Sequence, residues 1–128
     1  MFGGGNDYLT GALRRLAAGE AAGGIAYRTG TPTYVKHLAE RLLPLALTGR
    51  FGTYHLVGPE PTTWFDVLTR AKGLGGLRGQ VDVQRAEQLD LMAPRPRNSA
   101  LTSLFVGELG VPAMPPLDDA LRDLLATL

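Results

Sequence analysis

Residues 63–84 read TWFDVLTRAKGLGGLRGQVDVQ, and this stretch decides the fold class. Its apolar side chains, counted from Trp64, follow the i, i+3, i+4, i+7 spacing of one helical face, which predicts a helix that ends near Gly73. Thr63, with Asp66 three residues later, resembles a capping box and marks the start of that helix. The closing residues QVDVQ alternate like a strand with one buried face. A helix followed by a strand indicates an α/β arrangement.

Helical spacing recurs along the rest of the chain and predicts four further helices. The first begins at Asp7 with Asn6 as its N-cap, and the second begins after Thr33 as its cap. The second contains Pro44, which has no amide hydrogen to donate and should kink or end the helix. The predicted buried stripe of the second helix consists of Val35, Leu38, Leu42 and Leu45. The other two predicted helices cover residues 101–109 and 117–128.

Short strands are expected at residues 24–27 and 52–57, because strand-forming residues lie there between turn signals. Residues 93–99 carry two prolines and should form an extended loop. Strands that alternate with helices favour an α/β fold over a helical bundle. About three short strands are few for an independent doubly wound domain, so a fragment or an appended subdomain explains the pattern better.

Composition excludes several classes of protein. The chain has 128 residues, which predicts one domain over residues 1–128. Lys plus Arg number 13 and Asp plus Glu number 12, so no bulk charge recruits nucleic acid or a membrane surface. There is no cysteine, which excludes disulfides and thiol catalysis. Because the sequence shows no signal-peptide pattern and no run of about 18 apolar residues, we expect a cytoplasmic protein.

The common catalytic motifs are missing from the sequence. No G-x-G-x-x-G follows a strand, so there is no dinucleotide-binding loop, and no G-x-S-x-G indicates a serine nucleophile. His37 and His55 have no partner at metal-ligand spacing. We expect His37 on the polar side of its helix and His55 in a structural role. The sequence therefore predicts neither a metal centre nor a hydrolytic triad.

One segment does carry binding chemistry. Residues 95–99 read RPRNS, and two guanidiniums on a proline-stiffened loop suit a diphosphate, because arginine pairs with phosphate oxygens through two parallel hydrogen bonds. A solvated basic loop is the alternative. Residues 3–5, three glycines before a helix, could attract an anion or form a simple turn. Trp64 could stack on a base or sugar, but its helical register favours core packing.

Five spaced segments together resemble the dTDP-4-dehydrorhamnose reductase family of extended short-chain reductases. They read GNDY at residues 5–8, GTPT at 30–33, GTYHL at 52–56, TWFD at 63–66 and RPRNSAL at 95–101. They occur in the family's order and at about its spacing. The resemblance covers the C-terminal portion of that family, so it implies the C-terminal part of a Rossmann-like α/β fold, with few short strands and four to five helices.

The resemblance also implies a function. The family reduces a dTDP-4-keto-6-deoxy sugar with NADPH during dTDP-L-rhamnose synthesis, and this portion shapes the sugar-nucleotide pocket. The glycine-rich loop and the Tyr-x-x-x-Lys pair that carry hydride transfer are absent from this chain, so we expect it to be inactive alone and to bind neither cofactor nor substrate tightly. Tyr27 stands where the family usually has an acidic residue. The residues implied as substrate-binding are Asn6, Tyr8, Thr31, Thr33, Arg95, Asn98 and Ser99.

The expected partners follow from the same resemblance. A dTDP-sugar is the ligand, and a separate Rossmann half or a second copy of the chain is the protein partner. Family members are often homodimers, sometimes with Mg²⁺ near the interface. The alternative is a non-catalytic regulatory module that binds a protein partner through the face that otherwise packs on the Rossmann sheet.

Overall fold

The computed structural model describes residues 1–85 and 95–128, in which helices alternate with short strands. The helices are α1 (Tyr8–Ala17), α2 (Val35–Leu47), α3 (Trp64–Gly75) and α4 (Leu117–Leu125), and the strands are β1 (Ala22–Ile25), β2 (Thr29–Gly30), β3 (Thr62–Thr63) and β4 (Val81–Gln84). Strands β1 and β4 pair in parallel, and β2 and β3 pair antiparallel. This arrangement confirms the predicted α/β class with few strands.

Helices α1, α3 and α4 enclose the hydrophobic core. Leu13 and Leu16 of α1, Leu68 of α3 and Leu121 of α4 are fully buried. Their burial follows from the helical spacing of apolar residues that the sequence shows in these three segments. At about 1.5–3 kcal/mol for each fully buried leucine, this cluster is a main source of stability.

Helix α3 forms as predicted at its start. The Thr63 hydroxyl accepts a hydrogen bond from the Asp66 amide at 3.1 Å and donates one to the Asp66 carboxylate at 2.6 Å. The helix continues beyond the predicted end to Gly75, and Gly76 closes it with a positive φ of 60°. Glycine adopts this left-handed conformation without steric cost, so it sets the C-terminus.

Helix α1 begins one residue later than the Asn6 cap implied. Asp7 is the N-cap, and its carboxylate accepts from the Thr10 amide at 3.1 Å, while Asn6 is exposed. Both residue types cap helices well, so local preference could not choose between them. The Asp7 carboxylate also accepts hydrogen bonds from the backbone amides of Gly3 and Gly4. These contacts depend on the bend of the chain before α1, which the sequence did not predict.

The strand predicted at residues 24–27 lies two residues earlier, as β1. Its register against β4, Ala22 opposite Val81, fixes this position. Gly24 allows α3 to approach, since a β-carbon there would lie 2.5 Å from the Phe65 α-carbon. The buried face predicted for β4 forms only in part: Val81 packs against the core, but Val83 is 48% exposed, because α3 covers β4 only in part.

Helix α2 departs most from the prediction. Its N-cap is Tyr34, not Thr33, and it passes through Pro44 to Leu47. The predicted buried stripe is wrong in part, since Val35 and Leu42 are exposed while Leu38 and Leu45 are only partly buried. The residues of that stripe are Val35, Leu38, Leu42 and Leu45.

His37, predicted on the polar side of α2, is instead the buried residue of this helix. It packs edge-on against Tyr34, with ring centroids 5.0 Å apart, and its Nε2 lies 3.5 Å from the Asp123 carboxylate. The face of α2 that touches the rest of the chain therefore carries the histidine. An imidazole can be buried there because its ring packs on an aromatic neighbour while its nitrogen reaches a carboxylate.

Two other predicted elements do not form as such. Residues 52–57 are not a strand, because no described neighbour pairs with them, and strand preference alone cannot supply a partner. Of the helix predicted over residues 101–109, only a 3₁₀ turn at Gly107–Leu109 forms, closed by Gly110 at φ 70°. Part of the loop predicted at residues 93–99 lies outside the described residues; residues 95–99 contain no helix or named strand, but a bend at Arg97 and an isolated bridge between Asn98 and Thr29.

Helix α4 forms over Leu117–Leu125, within the predicted range, with Asp118 and Asp119 in its first turn. No helix in the described parts of the chain has the length and apolar character needed to cross a membrane.

Candidate functional site

A cavity of about 500 Å³ opens where β2, the start of α3 and residues 95–101 meet. The polar and aromatic side chains of its lining are Arg28, Thr29, Thr31, Thr62, Trp64, Arg95 and Ser99. Ile25, Val57 and Leu101 add apolar surface. A concave site with apolar walls and a few converging polar groups is typical of a small-molecule site.

Backbone hydrogen bonds join two distant segments into one wall of this cavity. The Thr29 amide donates to the Arg97 carbonyl at 2.8 Å, and the Ser99 amide donates to the Thr29 carbonyl at 2.9 Å. The Ser99 hydroxyl donates to the same carbonyl at 3.3 Å, and the Leu101 amide donates to the Thr31 hydroxyl at 3.4 Å. These bonds hold the arginine-rich segment beside β2, so Arg95 lies at the cavity.

Trp64 closes a second side. Trp64 is the first residue of α3 and follows the Thr63 N-cap directly, so the start of the helix sets the position of the indole. Trp64 packs against the hydrophobic core, as its helical register predicted, and it also lines the cavity; stacking on a base or sugar stays a prediction. The Tyr8 ring meets it edge-on, with centroids 5.6 Å apart. The Tyr8 hydroxyl donates to the Gly23 carbonyl, and burial raises the pKa of this tyrosine.

The structure brings some of the predicted binding residues together and separates others. Thr31, Arg95 and Ser99 line the cavity. Thr33 is buried behind it, where its hydroxyl donates to the Thr31 carbonyl at 3.1 Å and accepts from the Gly58 amide at 3.0 Å.

The remaining predicted residues lie outside the lining. The Asn98 side chain accepts from the Ala100 amide at 3.0 Å and so shapes the loop rather than the cavity. Tyr8 contacts the cavity only through Trp64, and Asn6 is exposed. His55 is also exposed, and its carbonyl accepts from the Ser103 hydroxyl.

The N-terminal segment forms the edge of the site. Met1 lines the cavity, and Phe2 exchanges backbone hydrogen bonds with the Thr33 carbonyl at 3.0 Å and the Val35 amide at 2.9 Å. The amides of Gly3 and Gly4 donate to the Asp7 carboxylate at 3.0 and 3.1 Å. The Asp7 carboxylate therefore already accepts the hydrogen bonds of the Gly3 and Gly4 amides, which the sequence suggested as a candidate anion site.

Asp7 is the titratable group that these contacts affect most. Burial alone would raise the pKa of its carboxyl, but hydrogen bonds from the Thr10 amide and hydroxyl and from the Gly3 and Gly4 amides outweigh it. The pKa of Asp7 is therefore lower than the usual aspartate value. The carboxylate is stabilised in its charged, hydrogen-bonded form.

Arg28 is a cavity residue that sequence reasoning missed. Its guanidinium carbon lies 4.9 Å from the centre of the Tyr27 ring. Within residues 1–85 and 95–128, it forms no ion pair, and the cavity lining contains no aspartate or glutamate. No motif marks this arginine in the sequence, since the fold alone brings it beside Arg95.

The described residues offer little to a metal ion or to a dinucleotide. They contain no group of three or more histidine, cysteine, aspartate or glutamate side chains that could hold a metal, so the Mg²⁺ that the resemblance placed near a dimer interface has no support from this chain. The described cavity lining also lacks a glycine-rich phosphate loop. Its two arginines, Arg28 and Arg95, suit a phosphate-bearing ligand.

Comparison with known proteins points to one family. The family described as RmlD substrate binding domain matches residues 1–128. Among curated proteins, the chain is 25% identical over 108 residues to the spore coat polysaccharide biosynthesis protein SpsK of Bacillus subtilis, a match that covers 84% of this chain and 38% of that protein.

Solved structures agree in fold. The dTDP-4-dehydrorhamnose reductase of Bacillus anthracis, in complex with NADP, superposes with a TM-score of 0.86 at 23% identity and covers 100% of this chain and 45% of that one. The orthologous reductase of Clostridium acetobutylicum gives 0.84 at 21% identity, over 98% and 45%. A UDP-glucuronic acid 4-epimerase of Bacillus cereus gives 0.69 at 12%, over 96% and 40%. The chain thus spans less than half the length of these relatives.

Proposed function

Because this chain belongs to the RmlD substrate-binding domain family, we propose that its 128 residues form the substrate-binding portion of a sugar-nucleotide reductase. The proposed substrate is a dTDP-4-keto-6-deoxy sugar, and the proposed reductant is NADPH. The names of the relatives support this choice: two are dTDP-4-dehydrorhamnose reductases, one of them bound to NADP, and a third acts in polysaccharide biosynthesis.

The single observation that carries the proposal is the cavity beside residues 95–101. Its lining combines Arg95 with the hydroxyls of Thr31 and Ser99, and it contains no carboxylate among the described residues. A guanidinium can bind a diphosphate through paired hydrogen bonds, and hydroxyls can bind sugar oxygens. Trp64 offers an aromatic face for a base or a sugar ring.

The chain's own residues would bind and orient the sugar nucleotide in the intact enzyme. Arg95 would hold the phosphates, and the wall formed by Thr29 and Ser99 would fix the distance between the two segments that contact the ligand. NADPH would supply the hydride that reduces the ketone. Its binding residues are proposed to belong to a Rossmann portion, on the same or a separate polypeptide, because the described residues here do not fit it.

Calorimetric titration of the chain with dTDP and with dTDP-rhamnose tests the proposal. We expect saturable binding that Arg95→Gln weakens about tenfold or more, since hydrogen bonds to charged groups are worth about 1.5–3 kcal/mol. Arg14→Gln, which removes an exposed arginine of α1 far from the lining, is the matched control and should leave the affinity unchanged. Absence of heat from a folded, monodisperse sample would mean that this cavity does not bind the sugar nucleotide by itself, and that the chain needs a Rossmann portion or instead binds a protein partner.

A further inference from the structure

Two buried polar atoms beside the cavity have no hydrogen-bond partner. Among the residues that the structure describes, the Tyr27 hydroxyl and the Arg28 Nε are the buried side-chain atoms of this kind. Most buried polar groups in proteins are paired, because an unpaired one loses its hydrogen bonds to water without replacement. Such an atom at the wall of a cavity suggests that its partner arrives with a ligand.

Arg28 differs from the other buried or paired cations of the chain in its surroundings. Arg41 and Arg70 have carboxylate partners at 2.7 and 2.8 Å, whereas Arg28 contacts the face of Tyr27 and forms no ion pair with a described residue. The aromatic face attracts the guanidinium but accepts no hydrogen bond from its edge. The planar fork of the arginine therefore keeps its capacity for an oxyanion.

Because Arg28 lines the cavity, its guanidinium can bind an oxyanion there. Arg28 precedes Thr29, whose amide and carbonyl are both bound to the segment that carries Arg95. Arg28 and Arg95 therefore line one cavity from two segments that backbone hydrogen bonds hold side by side. The described lining gives these two guanidiniums no carboxylate, so an anion in the cavity would meet two positive charges.

We propose that Arg28 is a second anion-binding residue of this cavity and that it binds a phosphate oxygen of the ligand together with Arg95. The inference rests on the proposed function, which it deepens by assigning the phosphates of the ligand a second arginine, from the opposite segment of the cavity wall. Because Nε is covered in the free chain, binding includes a shift of the Arg28 side chain that brings the edge of its guanidinium to the oxyanion. The Tyr27 ring holds the side chain at the cavity wall before that shift.

The test titrates the chain with inorganic pyrophosphate and with dTDP, and compares wild type with Arg28→Gln, Arg28→Lys and the control Arg14→Gln. Arg28→Gln should weaken both ligands roughly tenfold to a hundredfold. Arg28→Lys should recover part of the loss, because it keeps the charge without the fork. Arg14→Gln should bind as wild type does. Circular dichroism checks that each variant is folded.

The outcomes separate this inference from the proposed function. If dTDP binds and Arg28→Gln does not weaken it, the inference is wrong while the sugar-nucleotide function stands. If pyrophosphate binding depends on Arg28 and dTDP binds no more tightly than pyrophosphate, the anion site holds and the nucleotide function is in error. If neither ligand binds the folded wild type, the anion site does not exist.

A second measurement needs no ligand. Arg28→Met removes the unpaired Nε and keeps a side chain of similar length, so the free energy of unfolding of the ligand-free chain should fall by no more than the loss of the one cation–π contact with Tyr27. A structural arginine would show a larger loss, since its removal would break further contacts that hold the fold. A marked fall in stability for Arg28→Met would therefore overturn the proposal.

Discussion

Replacement of Asp7 by alanine should destabilise the chain by about 2 kcal/mol. The carboxylate accepts four hydrogen bonds, from the Thr10 amide and hydroxyl and from the Gly3 and Gly4 amides, at 2.8–3.1 Å. Loss of an N-cap costs about 1 kcal/mol. The other three bonds belong to a partly exposed group, so together they add about as much again. For a chain of this length the melting temperature should fall by roughly 7 °C.

The pH dependence gives this prediction a second, independent readout. The pKa of Asp7 is lowered in the folded chain, so its charged form contributes stability above the unfolded pKa of about 3.9, and this stability is lost as the pH falls through the lower folded value. Asp7→Asn keeps an acceptor but not the charge. The stability difference between wild type and Asp7→Asn should therefore be constant above about pH 5 and shrink below about pH 4.

Urea denaturation followed by Trp64 fluorescence and circular dichroism measures both effects. Asn6→Ala is the matched control, because Asn6 adjoins Asp7 and was the cap that the sequence favoured, yet its side chain is exposed. It should change the free energy of unfolding by less than about 0.5 kcal/mol. The reasoning fails if Asn6→Ala costs as much as Asp7→Ala, or if the difference between wild type and Asp7→Asn does not change with pH.

Four further substitutions probe packing and hydrogen bonding, all read by urea denaturation. Gly58→Ala should lose roughly 1–3 kcal/mol, because its β-carbon would lie 2.0 Å from the Pro32 carbonyl oxygen; a neutral result would contradict this. Leu121→Ala should lose about 2–5 kcal/mol, whereas Leu42→Ala, 56% exposed, should lose less than about 0.5; equal losses would refute the assigned core. Tyr27→Phe removes an unpaired buried hydroxyl and should not lower stability, so a clear loss would reveal a missed partner.

The elements that the sequence predicted well are those set by local interactions. The start of α3 depends on Thr63 and Asp66, which are three residues apart and make their hydrogen bonds to each other. The buried faces of α1, α3 and α4 follow from helical spacing, because each helix has neighbours on its apolar side. Local sequence contains the information for a cap and for an amphipathic face.

The elements that were predicted wrongly depend on neighbours distant in the sequence. Residues 52–57 carry strand-forming side chains but find no pairing partner among the described residues. The apolar side chains of α2 are spaced as a buried stripe, yet the side of the helix that packs is the one that carries His37. Spacing shows that a helix has an apolar face, but it does not show which face another element covers.

The candidate site divides in the same way. Arg95 and Ser99 were found because arginine, proline and short polar residues in one segment have a recognisable binding chemistry. Arg28 was missed because nothing next to it in the sequence marks a site, and only the pairing of Thr29 with residues 97–99 places it at the cavity. Chemistry carried by one segment can be predicted from sequence, whereas chemistry shared between two segments needs the fold.

The backbone hydrogen bonds between Thr29 and residues 97–99 have a consequence for how this cavity could be redesigned. They join two main-chain segments without using the outward-facing side chains, so the shape of the wall does not depend on the identity of residues 28 and 95. A library of variants at residues 28 and 95 would therefore change the charge of the cavity, and with it the charge of the ligand that binds, while the fold stays intact. The same separation would let natural variants change ligand preference by single substitutions, without first losing a folded protein.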